Sequence, residues 1–195
     1  MGDCEKNCIV KRAVEITEID YSCYGILYNL SGEGVDTGNT NHSAGDGWED
    51  TDTNVPLLDT PGALGYTLGS GTPFEAAEME RHLHTQEAQI PSGEAIVFCL
   101  AQACDGAPKA EDVVPVILRP GFAFVIHRGV WHSASHGIGG AARYYWQAWA
   151  YVNEPTVWEE SEGGPVRVEA SKGNRVGVDA SVRESQEGED AGVFG

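Results

Sequence analysis

Gly121-Phe122-Ala123-Phe124-Val125-Ile126-His127-Arg128-Gly129-Val130-Trp131-His132 is the stretch on which the reading of this chain turns. The apolar and aromatic run Phe122–His127 fits a buried strand, Arg128-Gly129 supplies a turn, and His132 stands just beyond it. A second segment upstream carries the same kinds of residue: Glu80-Arg81-His82-Leu83-His84-Thr85-Gln86-Glu87, then Ile90-Pro91-Ser92-Gly93. Within it Glu78, Glu80, His82 and His84 share one parity, while Ala77, Met79 and Leu83 share the other. Side chains two apart on a strand point the same way, roughly 6.5–7 Å apart. Two imidazoles or carboxylates so placed can grip one ion. A carboxylate after the turn and a histidine from an opposing strand complete the shell. Such a donor set suits Ni, Mn, Zn or Fe without choosing among them.

Across the chain, Gly accounts for 25 of 195 residues and recurs between short apolar runs. Many short strands divided by glycine turns mark an all-β sandwich or barrel. Strands are expected at Ile26–Leu30, Leu64–Leu68, Ala76–His84, Ala95–Ala101, Val113–Leu118, Phe122–His127 and Tyr144–Val152. Thr17 to Tyr24 reads as a short N-terminal helix, with Thr17 as N-cap and Gly25 as its stop. The polar stretch 31–54 reads as a long loop, either functional or poorly ordered. Val166/Val168 and Val176/Val178 flank a turn sequence that could close a hairpin, and the residues after about 183 look disordered. No alternating βα pattern and no glycine-rich phosphate loop is present, which excludes a parallel nucleotide-binding sheet.

The two segments resemble the two cupin motifs, which implies a double-stranded β-helix, the jelly-roll barrel. Gly121, five residues, then His127 to His132 matches the second motif except that His127 stands where proline is usual. The first motif has two registers: His82, His84 and Glu87, or Glu80, His82 and Glu87. Both share His82, Glu87 and His132. A narrower resemblance favours the second register. Glu80-Arg81-His82 with Ala88, Ile90 and Pro91 is similar to the E-R-H…A-F-I-P segment of ureidoglycolate lyases. His127-Arg128-Gly129-Val130-Trp131-His132 is similar to their H-R-G-V-W-H segment, and Tyr21 to Gly25 to their early F-x-x-Y-G. The resemblance covers roughly residues 17–152, leaving 1–16 as an N-terminal and 153–195 as an acidic C-terminal extension. Glu87 departs from it, since Gln is common there, and so does His84.

What the resemblance implies is a carbon–nitrogen lyase of allantoin degradation, in purine catabolism, that cleaves ureidoglycolate, or a related ureido or α-hydroxy acid, to glyoxylate and urea. His82, Glu87 and His132, with His84 or Glu80, would hold a divalent metal ion. Glu80 is alternatively the base and His127 the acid, though His127 also reads as a turn residue. Arg81 could pair a substrate carboxylate, and Trp131 reads as a core anchor or a substrate platform. Arg128 and Arg143 are more simply structural, and His42 and His136 solvated. Two other readings stand beside this one: another cupin enzyme, an isomerase or oxygenase of small acids or sugars, and a non-catalytic ligand-binding cupin.

Composition narrows the partners. With 12 basic and 30 acidic residues the formal charge is −18, which repels phosphate backbones and anionic membranes. The longest apolar run, Ala95 to Ala101, falls far short of a membrane-spanning helix, and the N-terminus lacks the pattern of a secretory signal. Five cysteines, Cys4, Cys8, Cys23, Cys99 and Cys104, form an odd set that suits a reducing compartment. The expectation is a cytoplasmic enzyme of a small carboxylic acid, without nucleic-acid or membrane partners. Its apolar edge would be covered in a homodimer.

Overall fold

The computed structural model describes residues 8–149 and 156–171. Short apolar runs between turns form an all-β structure. In chain order the strands are β1 (Ile9–Arg12), β2 (Val14–Glu15), β3 (Gly25–Asn29), β4 (Thr40–Gly45), β5 (Trp48–Thr53), β6 (Ala63–Gly69), β7 (Phe74–Ala76), β8 (Glu78–Arg81) and β9 (Glu87–Pro91). They continue with β10 (Ile96–Ala101), β11 (Val114–Leu118), β12 (Phe122–Ile126), β13 (Trp131–His132), β14 (His136–Gly137), β15 (Ala142–Ala148), β16 (Val157–Glu160) and β17 (Val166–Glu169).

Two sheets carry the architecture. One runs β3-β12-β9-β15-β6, and the other β16-β8-β13-β10-β11-β2, with β14 also on β10. Strand β10 shows how they are held. Ile96, Phe98 and Leu100 meet Leu27, Phe124, Ile126 and Tyr144 of the first sheet in one buried cluster. Val97, Cys99 and Ala101, of opposite parity, pack with Met79, Ile117 and Trp131 in another. A strand buried on both faces must be apolar throughout, which is why Ile96–Ala101 lacks alternation. A third sheet, β1-β17-β7, contributes Phe74, Ala76, Val166 and Val168 to that second cluster. Its parallel β1–β17 pairing ties the two ends of the described chain together. Among the described residues the sheets do not join into one closed barrel.

Several expectations need correction. The helix expected over Thr17–Tyr24 is absent: one 3-10 turn, Ile16–Glu18, is followed by a tight turn in which Tyr24 and Gly25 N–H both donate to Tyr21 O. Buried Ile16 and Tyr24 draw this segment onto the core without a helical face to bury. Gly25 is no helix stop; it opens β3, where a Cβ would lie 2.3 Å from Val125 O. The 31–54 loop contains the antiparallel hairpin β4–β5, turning at Asp46-Gly47. Its faces are polar and mostly exposed, so no apolar alternation announced it. Of the strand expected over Ala76–His84, only Glu78–Arg81 forms β8: Ala76 ends β7, which pairs with β17 whereas β8 pairs with β13 and β16, and residues 82–84 lie in the connection to β9. The far arm of the proposed Val166–Val178 hairpin and the acidic tail lie outside the described residues, as do Cys4 and Ala150–Val152. No described helix is long and apolar enough to cross a membrane.

Candidate metal centre

Strand pairing brings the two motifs together. His132 on β13 lies directly opposite Glu80 on β8. His82 follows β8 and shares the parity of Glu80, and its carbonyl accepts the N–H of Gly129 in the turn before β13 at 2.8 Å. Glu87 opens β9 between Ile126 of β12 and Ala148 of β15. One ligand atom from each of Glu80, His82, Glu87 and His132 falls within 4.8 Å of the others.

His82 Nε2 is 2.8 Å from Glu87 Oε2 and 3.9 Å from Glu80 Oε2. His132 Nε2 is 3.7 Å from Glu80 Oε1 and from Glu87 Oε2, inside ion-pair range but beyond hydrogen-bond length. That nitrogen is buried and has no hydrogen-bond partner. The other ring nitrogen, Nδ1, donates to Val130 O at 3.1 Å, which in the neutral ring leaves the Nε2 lone pair facing the carboxylates. Two carboxylates and two imidazoles, one with an unpartnered buried ring nitrogen, converge within 4.8 Å and fit a divalent cation of the Ni, Mn, Zn or Fe class.

The electrostatics agree. Burial drives the Glu87 carboxyl up, but the attraction of the nearby His132 and the hydrogen bond with His82 outweigh it and hold the group down at about 2. Burial likewise opposes charge on His132, yet Glu87 and Glu80 carry it up to about 9 in the metal-free site. Glu80 is raised, first by burial and then by the neighbouring charge of Glu87, against the lowering pull of both histidines. Without a cation, the two carboxylates hold a proton on His132, and a divalent ion would take that proton's place.

The structure leaves other candidates outside this cluster. His84 is exposed on the turn before β9, pointing to the Glu80 register of the motif. His127 is partly exposed at the turn after β12, with its N–H on Tyr24 O. Trp131 is fully buried in the core, so it presents no surface to a bound molecule. Arg81, of opposite parity to Glu80, stacks over the Trp131 ring at 4.3 Å and donates to Cys104 O at 2.7 Å. Arg128 makes a two-pronged pair with Asp59 at 2.6 and 2.7 Å, and Arg143 lies over Tyr66. His136 is half-buried against Phe74 and bonded to Ser70 rather than solvated.

Two residues around Glu87 carried no motif in the sequence. Gln89 donates to Glu87 Oε1, and Ser135 donates to Gln89 Oε1 at 2.9 Å. The i, i+2 spacing of Glu87 and Gln89 on a strand was the one available signal; nothing marked Ser135. Compared with known protein families, the chain matches no family model, and no curated protein matches it.

Proposed function

We propose that this chain is a cupin-type jelly-roll enzyme, a metal-dependent lyase that cleaves ureidoglycolate, or a related ureido or α-hydroxy acid, to glyoxylate and urea. The observation that carries the reading is the unpartnered Nε2 of His132, buried among two carboxylates and a second imidazole. The H-R-G-V-W-H and E-R-H segments supply the substrate class by resemblance. A divalent ion held by His82, Glu87 and His132, with Glu80 as fourth ligand, supplies positive charge that stabilises the substrate oxygen as its proton leaves.

The chain's own residues divide the remaining work. The substrate hydroxyl loses its proton, its oxygen forms the carbonyl of glyoxylate, and the carbon–nitrogen bond breaks with its electron pair going to the urea nitrogen, which gains a proton. Glu80, whose proton affinity burial raises, is suited to take the hydroxyl proton whenever it is not a ligand. His127, at the turn that leads to His132 but outside the four-residue cluster, is the candidate that the resemblance offers for returning a proton to urea. A homodimer in the cytoplasm is the setting that fits this reading.

A second reading, another small-acid or sugar cupin acting as isomerase or oxygenase, draws on Glu87, which stands where the lyase segment commonly has Gln. The test is glyoxylate release from ureidoglycolate by protein loaded in turn with Ni, Mn, Zn and Fe. Product with at least one metal supports the lyase. Tight metal binding without product from any of them discards this substrate and favours the second reading, and a protein that holds no metal and turns over no acid would support the third, a non-catalytic ligand-binding cupin.

A further inference from the structure

Glu87 offers the cluster only one of its oxygens. Oε2 faces His82 and His132, whereas Oε1 is occupied by the amide of Gln89. The amide carbonyl of Gln89 accepts the Ser135 hydroxyl at 2.9 Å, and Ser135 N–H is directed at the Tyr144 hydroxyl at 3.4 Å. Gln89 and Ser135 are 2% and 0% exposed, so bulk water does not compete for these groups. The direction of the chain is fixed by chemistry. An ionised carboxylate only accepts, so the amide must turn its NH2 toward Glu87, which leaves its oxygen for the serine O–H. Buried and satisfied at both ends, the amide is held in a single orientation, because any rotation leaves a polar group unpaired.

We propose that Gln89, braced by Ser135, is a positioning residue that commits Glu87 to bind the ion through Oε2 alone. The inference rests on the metal-centre reading above and goes beyond it. With Oε1 occupied, the carboxylate cannot swing to give both oxygens to one ion, and the coordination number stays low enough to leave room for a substrate. Gln89 reaches Glu87 because the two share one face of β9, and Ser135 reaches Gln89 from the connection between β13 and β14.

The test uses the full-length protein loaded with Co(II). Gln89→Leu keeps the bulk of the side chain and removes its donor. Competition against a chromophoric chelator should show affinity lower by about 10–100-fold. The visible bands of Co(II) should weaken as Glu87 becomes a two-oxygen ligand, which a residue that merely filled space would not cause. Ser135→Ala should lower affinity less, and the double variant no more than Gln89→Leu alone, because the serine acts through the amide. If Gln89→Leu does not fold, as read by circular dichroism, Ser135→Ala carries the test: reduced affinity supports the proposal and unchanged affinity overturns it. Wild-type protein that holds Co(II), beside Gln89→Leu with equal affinity and an unaltered spectrum, overturns the positioning role and leaves the metal centre standing. Wild-type protein that takes up no Co(II) overturns both.

Discussion

Raising the pH of metal-stripped protein from 6.5 to 9 should destabilise it, by an amount that follows from the His132 environment. His132 is held up at about 9 by Glu87 and Glu80 against burial, from an ordinary value of 6.5. A group whose folded proton affinity is raised stabilises the fold fully below its unfolded value and loses that contribution as the pH climbs through the folded one. The difference between 6.5 and about 9, at roughly 1.4 kcal/mol per unit, is about 3 kcal/mol. That is a large share of the ~5–15 kcal/mol that holds a domain folded. The depression of Glu87 from 4.5 to about 2 is the same attraction seen from the other partner, so the two are not summed. Its own window is acidic: the contribution is present above 4.5 and is lost as the pH falls toward 2. Urea unfolding in chelator at pH 6.5, 7.5, 8.5 and 9 reads the effect, with Glu87→Gln as the control in which the slope should largely vanish. Metal-loaded protein should behave oppositely. The ion displaces the His132 proton, so its affinity and the stability it adds grow with pH over the same window. Flat stability of the stripped wild type between pH 6.5 and 9 would show that His132 carries no raised charge in the metal-free centre.

Two further outcomes follow from the packing. A Cβ on Gly69 would lie 1.9 Å from Ser135 O and 2.9 Å from Ser135 C, both backbone atoms that cannot move aside cheaply. Gly69→Ala should therefore cost about 1–3 kcal/mol in urea unfolding and weaken metal uptake through the displaced Ser135; unchanged values for both would contradict that coupling. The β4–β5 hairpin pairs only with itself among the described strands and is mostly exposed. Replacing residues 38–55 with a short Gly/Ser linker should leave metal stoichiometry unaltered and shift the unfolding midpoint little, and loss of metal on this deletion would show that the hairpin supports the site.

The parts of the fold legible in the sequence were those governed by local pattern. Ile96–Ala101 and Phe122–Ile126 read as strands because burial on both faces demands unbroken apolar runs. The meeting of His82, Glu87 and His132 was legible in the two motifs, whereas spacing left Glu80 and His84 as alternatives and only the resemblance to the E-R-H segment favoured Glu80. What local pattern could not carry was missed. The parallel pairing of Ile9–Arg12 with Val166–Glu169 joins distant segments that have no common signal. The change of sheet at Ala77 interrupts an alternation that looks continuous in the sequence. The apparent helix at 17–24 rested on caps alone, and the buried Ile16 and Tyr24 outweighed them. Gln89 stands where the resembled segment has Phe, so no motif could point to its grip on Glu87.

The most direct measurement is elemental analysis of the purified protein beside His132→Ala, both taken through the same mild preparation. The wild type should carry close to one equivalent of a transition metal per chain and the variant, whose buried donor is gone, far less. Equal metal content in the two proteins would remove His132 from the centre and leave no metal site built on it.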